Sequence, residues 1–331
     1  MPKKKIRILV LAGGPSLERV VSLNTAKMVL KNLDFRKYVP SLAIIGKDGR
    51  WYFSGGKVFY KNGVVKYLVS KFDFVFIAMH GRFGEDGHIQ AILEWIGLPY
   101  SGSAVMSSAL AMDKETSNQI YSSYGLAVPR YVVVECGLLK NFKYTFPVVI
   151  KPVDGGSSLG VSIVKNKKEF NRAIILASRL GKKIMIQKYI HGREITCGVL
   201  EGRDGRPFAL PPTEIIPKQS SFFNYQAKYK VGGSLEITPA QLSRAQMKKV
   251  QKLALFAHIS LGCRGMSRSD FILSGSKFYI LETNTIPGMT RTSLLPQSAK
   301  VAGISFSDFL ELLIVAGFNK FNEEKKGGAK R

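Results

Sequence analysis

Acidic residues are scarce in this 331-residue chain: 23 Asp and Glu stand against 49 Lys and Arg, a formal charge of +26. Such an excess raises the question of nucleic acid, because clustered cations gain affinity by releasing phosphate counterions. Dense basic clusters are also lacking outside the two ends, and no run interleaves cations with stacking aromatics as a strand-binding groove requires. A nucleic-acid partner is therefore not expected, and a general basic bias accounts for the charge. Long apolar runs are absent; nothing approaches the roughly 18 residues that cross a bilayer. Lys3-Lys4-Lys5 leads into IRILVLAGG without the apolar core and cleavage site of a signal peptide. No membrane insertion and a cytoplasmic location are expected. Cys136, Cys197 and Cys263 are far apart with no CxxC spacing, which excludes a disulfide framework and a cysteine-built zinc site. Buried, reduced thiols are expected instead.

What is present is an ordinary globular composition, 45% hydrophobic and 22% charged, in a length that fits two or three lobes of roughly 100 to 150 residues. IRILVLAGG followed by PSLERVVSLNTAKMVLKNL reads as strand, glycine turn and helix, with apolar residues at Val20, Leu23, Ala26, Val29 and Leu30. FDFVFIAMHG, the turn HGRFGEDG and the helical QAILEWIGL repeat that unit. Two such units predict a parallel sheet, whose ligands bind at the carboxyl ends of the strands, placing His80 and the glycine turns in a cleft. From Ser107 the pattern becomes one helical stretch, ALAMDKETSNQIYSSYG, then short β-rich runs (YVVVE, FPVVIK, GVSIVK), an α+β middle lobe. A last lobe mixes ITCGVLE and KFYILETN with a long helix, PAQLSRAQMKKVQKLALFAHISLG, closed by Gly262. The expected lobes are 1–104, 105–187 and 188–318, and the polar, glycine-rich 319–331 reads as a basic, frayed tail. No internal repeat is seen.

FPVVIKPVDGGSSLGVSIV joins two strands through a loop with Gly155, Gly156, Ser157, Ser158 and Gly160, beside Lys151. Glycines let backbone N–H groups approach phosphate oxygens, and the lysine adds charge. It is not a P-loop, whose lysine follows the loop and enters a helix. A plain glycine-rich hairpin has the same pattern, and this segment alone leaves both readings open.

In SRSDFILSGSKFYILETNTIPGMT, Glu282 and Asn284 lie two apart and share a strand face, and the breaker LSGS makes a hairpin with the strand carrying Asp270. In one register Arg268 opposes Asn284 and Asp270 opposes Glu282. Two carboxylates and an amide oxygen then converge, a donor set suited to Mg²⁺ shared with nucleotide phosphates. Solvated carboxylates on an exposed hairpin are the alternative. ATP with Mg²⁺ suggests carboxylate activation, since a carboxylate must be phosphorylated before an amine attacks it.

With LAGGPSLERVVS, HGRFGEDG, LPYSGS with AMDK, VIKPVDGGSSLGVS, FFNYQAKY and LETNTIPGMTRTSLLP in this order from Ile6 to Phe318, the chain resembles the D-alanine–D-alanine ligases of the ATP-grasp superfamily. The resemblance implies an α/β, three-lobed ATP-grasp fold with an N-terminal parallel-sheet (Rossmann-like) lobe and two α+β lobes gripping ATP. It implies ATP-dependent joining of two D-alanines through a D-alanyl phosphate, for peptidoglycan precursors, with two Mg²⁺ ions, Mn²⁺ as a possible substitute, and a homodimer. Sister ligases using D-lactate or D-serine as second substrate are the near alternative, and a nucleic-acid-binding protein on an ATP-grasp body the distant one.

Residue by residue, the resemblance places Lys114, Lys151, Gly156, Ser157, Ser158, Gln187, Lys188, Ile190, Glu194 and Lys228 around ATP. Glu194 is implied at the ribose, and Gln187, Lys188 and Ile190 at the adenine. The family often has Glu where this chain has Gln187; the amide oxygen still accepts from an adenine amino group. Glu18, Ser22, His80, Arg268, Gly288, Ser293 and Leu294 are implied around the amino-acid substrates, although Ser22 also reads as a plain helix residue and His80 as a structural strand-end histidine. Glu18, Ser157, Tyr229 and Ser293 are implied as a linked catalytic set, with Arg268 and the Gly288 N–H stabilising the oxyanion. Asp270, Glu282 and Asn284 are the implied metal ligands. Closure of 155–160 and 219–230 would exclude water, and Tyr229 favours D-alanine over D-lactate or D-serine.

Overall fold

The structure, a computed structural model, describes residues 4–60, 63–136, 145–156, 159–218 and 233–328. The apolar run after the basic start forms β1 (Ile6–Gly13), and α1 (Arg19–Asn32) returns across it. β2 (Tyr38–Ile45), β3 (Arg50–Phe53), β4 (Val58–Tyr60), α2 (Val64–Lys71), β5 (Phe74–Ile77) and α3 (His88–Trp95) complete the first lobe. Its strand order is β4-β3-β2-β1-β5. β1 pairs in parallel with β2 and β5, which is why it reads as a continuous apolar run. The expectation of a parallel sheet needs correction at one edge, where β3 and β4 run antiparallel. Only residues 46–49 join β2 to β3, too few for the crossover a parallel pair demands.

The single helix expected from Ser107 is two, α4 (Val105–Met112) and α5 (Lys114–Ser123). Asp113 between them is extended, and its Oδ1 accepts from the Thr116 N–H at 2.8 Å, an N-cap that ends one helix and starts the next. The middle lobe proper is β6 (Tyr131–Glu135), β7 (Val148–Pro152), β8 (Ser162–Val164), α6 (Lys167–Ser178) and β9 (Lys183–Lys188), an antiparallel sheet ordered β6-β9-β7-β8. Phe170, Ala173 and Ala177 of α6 pack with Val148, Ile150, Ile184 and Ile186 in a small core of its own.

The last lobe comprises β10 (Arg193–Glu201), β11 (Pro207–Ala209), β12 (Thr213–Pro217), β13 (Ser234–Ile237), α7 (Arg244–Ser260), β14 (Met266–Ser274), β15 (Lys277–Asn284), α8 (Leu294–Val301) and α9 (Phe306–Gly328). Its sheet runs β13-β12-β10-β14-β15, with β11 beside β10. α7 starts later than the apolar pattern suggests, because Ser243 and Gln246 form a capping box. Ala111, Tyr121 and Leu126 share the core of α7, Ile195 and Phe271, so α4 and α5 pack with this lobe and the packing does not follow the boundary expected at 105. Cys197 and Cys263 are buried and Cys136 half-buried, all as free thiols.

α8 and α9 return to the first lobe: Leu295, Phe309, Leu313 and Ile314 join the core of β1 and β5, and the Phe318 ring lies 4.9 Å from Phe74. Among the described residues no single helix is long and apolar enough to cross a membrane. The frayed tail expected from 319 is overturned through Gly328. Lys320 is buried, its ammonium 3.3 Å from the centre of the Tyr100 ring and 3.0 Å from the Gly102 carbonyl, and Glu323 pairs with Arg264 at 2.8 Å. Truncation after Phe318 should therefore cost on the order of 2 kcal/mol and lower the melting temperature by about 5 °C. An unchanged calorimetric melting temperature would show that these turns contribute nothing.

Candidate active site

β14 and β15 pair in the register read from the sequence: Arg268 opposes Asn284 and Asp270 opposes Glu282. Beyond them the register slips, Phe271 facing Ile280, so Leu281 is an extra residue in a bulge beside the carboxylates. On the neighbouring strand Gly198, Thr196 and Glu194 oppose Arg268, Asp270 and Ile272, which sets all these residues on one sheet face. On the other face Ser269 and Thr283 share a hydrogen bond of 2.8 Å, and the Tyr121 hydroxyl donates to Thr283 at 2.8 Å. α5 thus braces the hairpin from behind while its own first residue, Lys114, reaches the front.

That front face forms one wall of a cleft of about 920 Å³ measured to its open mouth, and the middle sheet forms the other. Lys114, Lys151, Gly156, Gln187, Lys188, Ile190 and Glu194 all line it, as do Asp270 and Glu282. Lys114 Nζ donates to the Gly155 carbonyl and lies 3.6 Å from Glu282 Oε2, joining the glycine loop to the hairpin. Lys151 is only 5% exposed. Burial pushes its pKa down to about 8, helped by the charge of Lys114 and opposed by Glu282. A desolvated cation beside a glycine loop is poised for an anionic ligand.

Asp270 Oδ1 accepts from the Thr196 hydroxyl at 2.6 Å and from Arg268 Nε at 3.1 Å; Oδ2 accepts from Arg268 Nη2 at 3.2 Å. Asn284 turns its Nδ2 toward the Arg268 carbonyl at 3.5 Å. Two carboxylates and an amide on adjacent ladder positions are oxygen donors only. They suit Mg²⁺, which takes one or two carboxylates and fills its shell with water and phosphate oxygens.

Arg268 and Asn284 also line a second, more polar cavity with Glu18, His80, Glu85, Glu236, Gly288, Ser293 and Leu294. Glu18 ends the loop after β1, and a side chain on Gly81 would collide with its carboxylate. Gly81 has φ +67, so both conformation and space require glycine there. A Cβ on Gly156 would sit 3.1 Å from Glu18 Oε2, so this carboxylate also touches the glycine loop. Ser293 Oγ accepts from the Thr290 N–H at 2.9 Å and lies beneath Gly288.

Two expectations change here. Ser22 does not reach the cavity; it is fully buried, accepting from the Gly13 N–H and donating to the Ala78 carbonyl, both at 2.8 Å, and so latches β1 to the end of β5. His80 reaches the wall with both ring nitrogens occupied: Nδ1–H donates to the Ile286 carbonyl at 2.9 Å, leaving Nε2 to accept from Thr25 at 2.8 Å. It positions the turn before Gly288. Glu85 holds the same turn and was missed by sequence reasoning although HGRFGEDG contains it: Oε1 accepts from the Ile286 N–H at 3.0 Å and Oε2 from the Gly81 N–H at 2.7 Å. Burial and the nearby Glu18 charge raise the Glu85 carboxyl well above its ordinary range. Glu236 was missed as well, since a lone Glu in a short strand carries no local signal. Ser157, Ser158, Lys228 and Tyr229 lie outside the described residues.

Burial holds His80 and His258 neutral, each with a pKa of about 4. Their contribution to stability is complete above the unfolded value of 6.5 and is lost as pH falls toward 4, on the order of 3 kcal/mol per ring. Glu85, raised, works in the opposite direction. His258→Gln, remote from both cavities, should therefore flatten the fall in urea-derived stability between pH 6.5 and 4; an unaltered slope would contradict the assignment.

Two sheets closing on a cleft with a lysine pair at one end and a carboxylate hairpin beside it make this an ATP-grasp enzyme. Residues 120–315 match the family described as "D-ala D-ala ligase C-terminus", and 7–65 with 57–103 match "D-ala D-ala ligase N-terminus". The chain belongs to the D-alanine–D-alanine ligase family. It is 43% identical to the D-alanine–D-alanine ligase of Syntrophobacter fumaroxidans, over 95% of this chain and 98% of that one. Identity to the enzyme of Leptospira interrogans (serovar Lai) is 40%, over 92% and 97%. The crystal structure of the Bacillus anthracis ligase complexed with ATP superposes with a TM-score of 0.80 at 31% identity, over 96% of this chain and 99% of that one.

Proposed function

We propose that the protein joins two D-alanine molecules into D-alanyl-D-alanine at the expense of ATP, for peptidoglycan precursor synthesis in the cytoplasm. The observation that carries this reading is the β14–β15 hairpin, whose Asp270 and Glu282 face the large cleft while Arg268 and Asn284 face the small cavity. A nucleotide γ-phosphate and a small carboxylate would meet there.

Lys114, Lys151 and the backbone of the glycine loop hold the phosphates, and Glu194 the ribose. Asp270, Glu282 and Asn284 would hold Mg²⁺, two ions in the family pattern with Mn²⁺ as a substitute, and the metal would supply charge neutralisation for phosphoryl transfer. The first D-alanine places its ammonium near Glu18 and its carboxylate toward Arg268. The carboxylate oxygen attacks the γ-phosphorus, the bond to ADP breaks, and an acyl phosphate forms. The amine of the second D-alanine then attacks the acyl carbon. Arg268 and the Gly288 N–H stabilise the oxyanion, and phosphate leaves with its bonding electron pair. The carboxylate of this second substrate is received near Ser293 and Leu294, at the start of α8. Tyr229, Ser157 and Lys228 act in closing the site, and a homodimer is the expected assembly.

The test is phosphate release from ATP and Mg²⁺ with and without D-alanine, with L-alanine, D-serine and D-lactate as controls and the product weighed by mass spectrometry. D-alanine-dependent release with D-alanyl-D-alanine formed is the expected result. Mixed products with D-serine or D-lactate would identify a sister ligase, and no stimulation by any of these acids would defeat the reading.

A further inference from the structure

The large cleft is chemically two-ended. Charge collects at Lys114, Lys151, Asp270 and Glu282, whereas at the other end Val149, opposite Gln187, joins Ile163 and Ile272 in an aliphatic wall bordered by Lys188 and Glu194. A nucleotide has that polarity, so its base belongs at the aliphatic end. There Gln187 on β9 lines the wall at 2% exposure. Its Nε2 is sealed from solvent and has no hydrogen-bond partner, and among the described residues none donates to its Oε1. A buried amide that the protein leaves unpinned is uncommon, since an unmade buried hydrogen bond is costly.

We propose that Gln187 leads this enzyme to use 6-oxopurine nucleoside triphosphates alongside ATP; the inference rests on reading the cleft as a nucleotide site. A carboxylate at this position only accepts, and therefore selects a 6-amino group. A primary amide has an acceptor and two donors, and half a turn about its last bond exchanges them. With Oε1 toward the base it accepts from the 6-amino group of adenine. With Nε2 toward the base it donates to a 6-oxo group. Among the described residues no hydrogen bond holds the amide, so that turn breaks none of theirs. Gln187 therefore favours neither edge strongly.

The experiment compares ATP with inosine triphosphate, which carries oxygen at position 6 and lacks the extra amino group of guanine. For the wild-type enzyme with D-alanine, kcat/KM for inosine triphosphate should fall within about tenfold of that for ATP. Gln187→Glu should widen the ATP-to-inosine triphosphate ratio of kcat/KM about a hundredfold over the wild type, because two acceptors then face each other at the 6-oxo group. Discrimination by the wild type of more than about a thousandfold, or equal use of inosine triphosphate by both proteins, would overturn the inference. Calorimetric binding of ADP and IDP reads the same preference without turnover. Should D-alanine fail to stimulate ATP hydrolysis, the proposed reaction falls, while the ADP-to-IDP ratio in the two proteins still decides the role of Gln187.

Discussion

Lys151→Ala should lower kcat by about a thousandfold while leaving the melting temperature within a few degrees of wild type. The side chain is buried, and its pKa is pressed down to about 8 by that burial and by Lys114. An ammonium in this position has lost hydration and has Lys114 as a repelling neighbour, so its removal relieves an unfavourable charge. In the transition state for phosphoryl transfer the same ammonium faces developing negative charge, where it is most effective because the site is preorganised and dry. Function and stability should separate. Steady-state turnover with calorimetry on the same preparation checks this, and near-wild-type kcat in a folded variant would remove Lys151 from the phosphate site.

Arg268→Lys should reduce kcat by about a hundredfold, with the KM for ATP little changed. The guanidinium lies between two tasks: Nε and Nη2 both hold Asp270, at 3.1 and 3.2 Å, while the group borders the small cavity. Lysine keeps the charge and loses the fork. It can sit on Asp270 or approach the oxyanion, and one point charge does not serve both at the arginine's distances. Trapping the acyl phosphate with hydroxylamine locates the defect. Hydroxamate formation should survive better than dipeptide formation, and an equal loss of both would place the effect on phosphoryl transfer.

Much of the carboxylate hairpin is legible locally. Two strands separated by a tight breaker admit few registers, and the pairs 268–284 and 270–282 followed from residue spacing. Leu281 in the bulge was not foreseen, because a bulge answers to packing across the sheet. The glycine loop beside Lys151 was equally plain as a motif, although its residues alone also allowed a simple hairpin. Ser22 reads as a substrate contact or a plain helix residue and His80 as a substrate contact or a structural strand-end histidine, and the residues alone do not choose, since the partners lie far away: Ala78 for one, Ile286 for the other. Glu85 was overlooked for the same reason; its second partner, the Ile286 N–H, is 201 residues distant.

The sequence by itself determined the strand and helix inventory, the glycine turns and the chemistry of the hairpin, because these rest on interactions between residues a few positions apart. Only the tertiary structure decided that Asp113 splits one helical stretch into two, that α4 and α5 brace the last lobe, and that α9 runs on past Phe318 with Lys320 buried against Tyr100. It also decided that the turn before Gly288 is clamped by His80 and Glu85 from another lobe. The reason is physical: helical periodicity and turn chemistry are short-range, whereas the burial that makes a polar partner costly to lose exists only once distant segments have packed together.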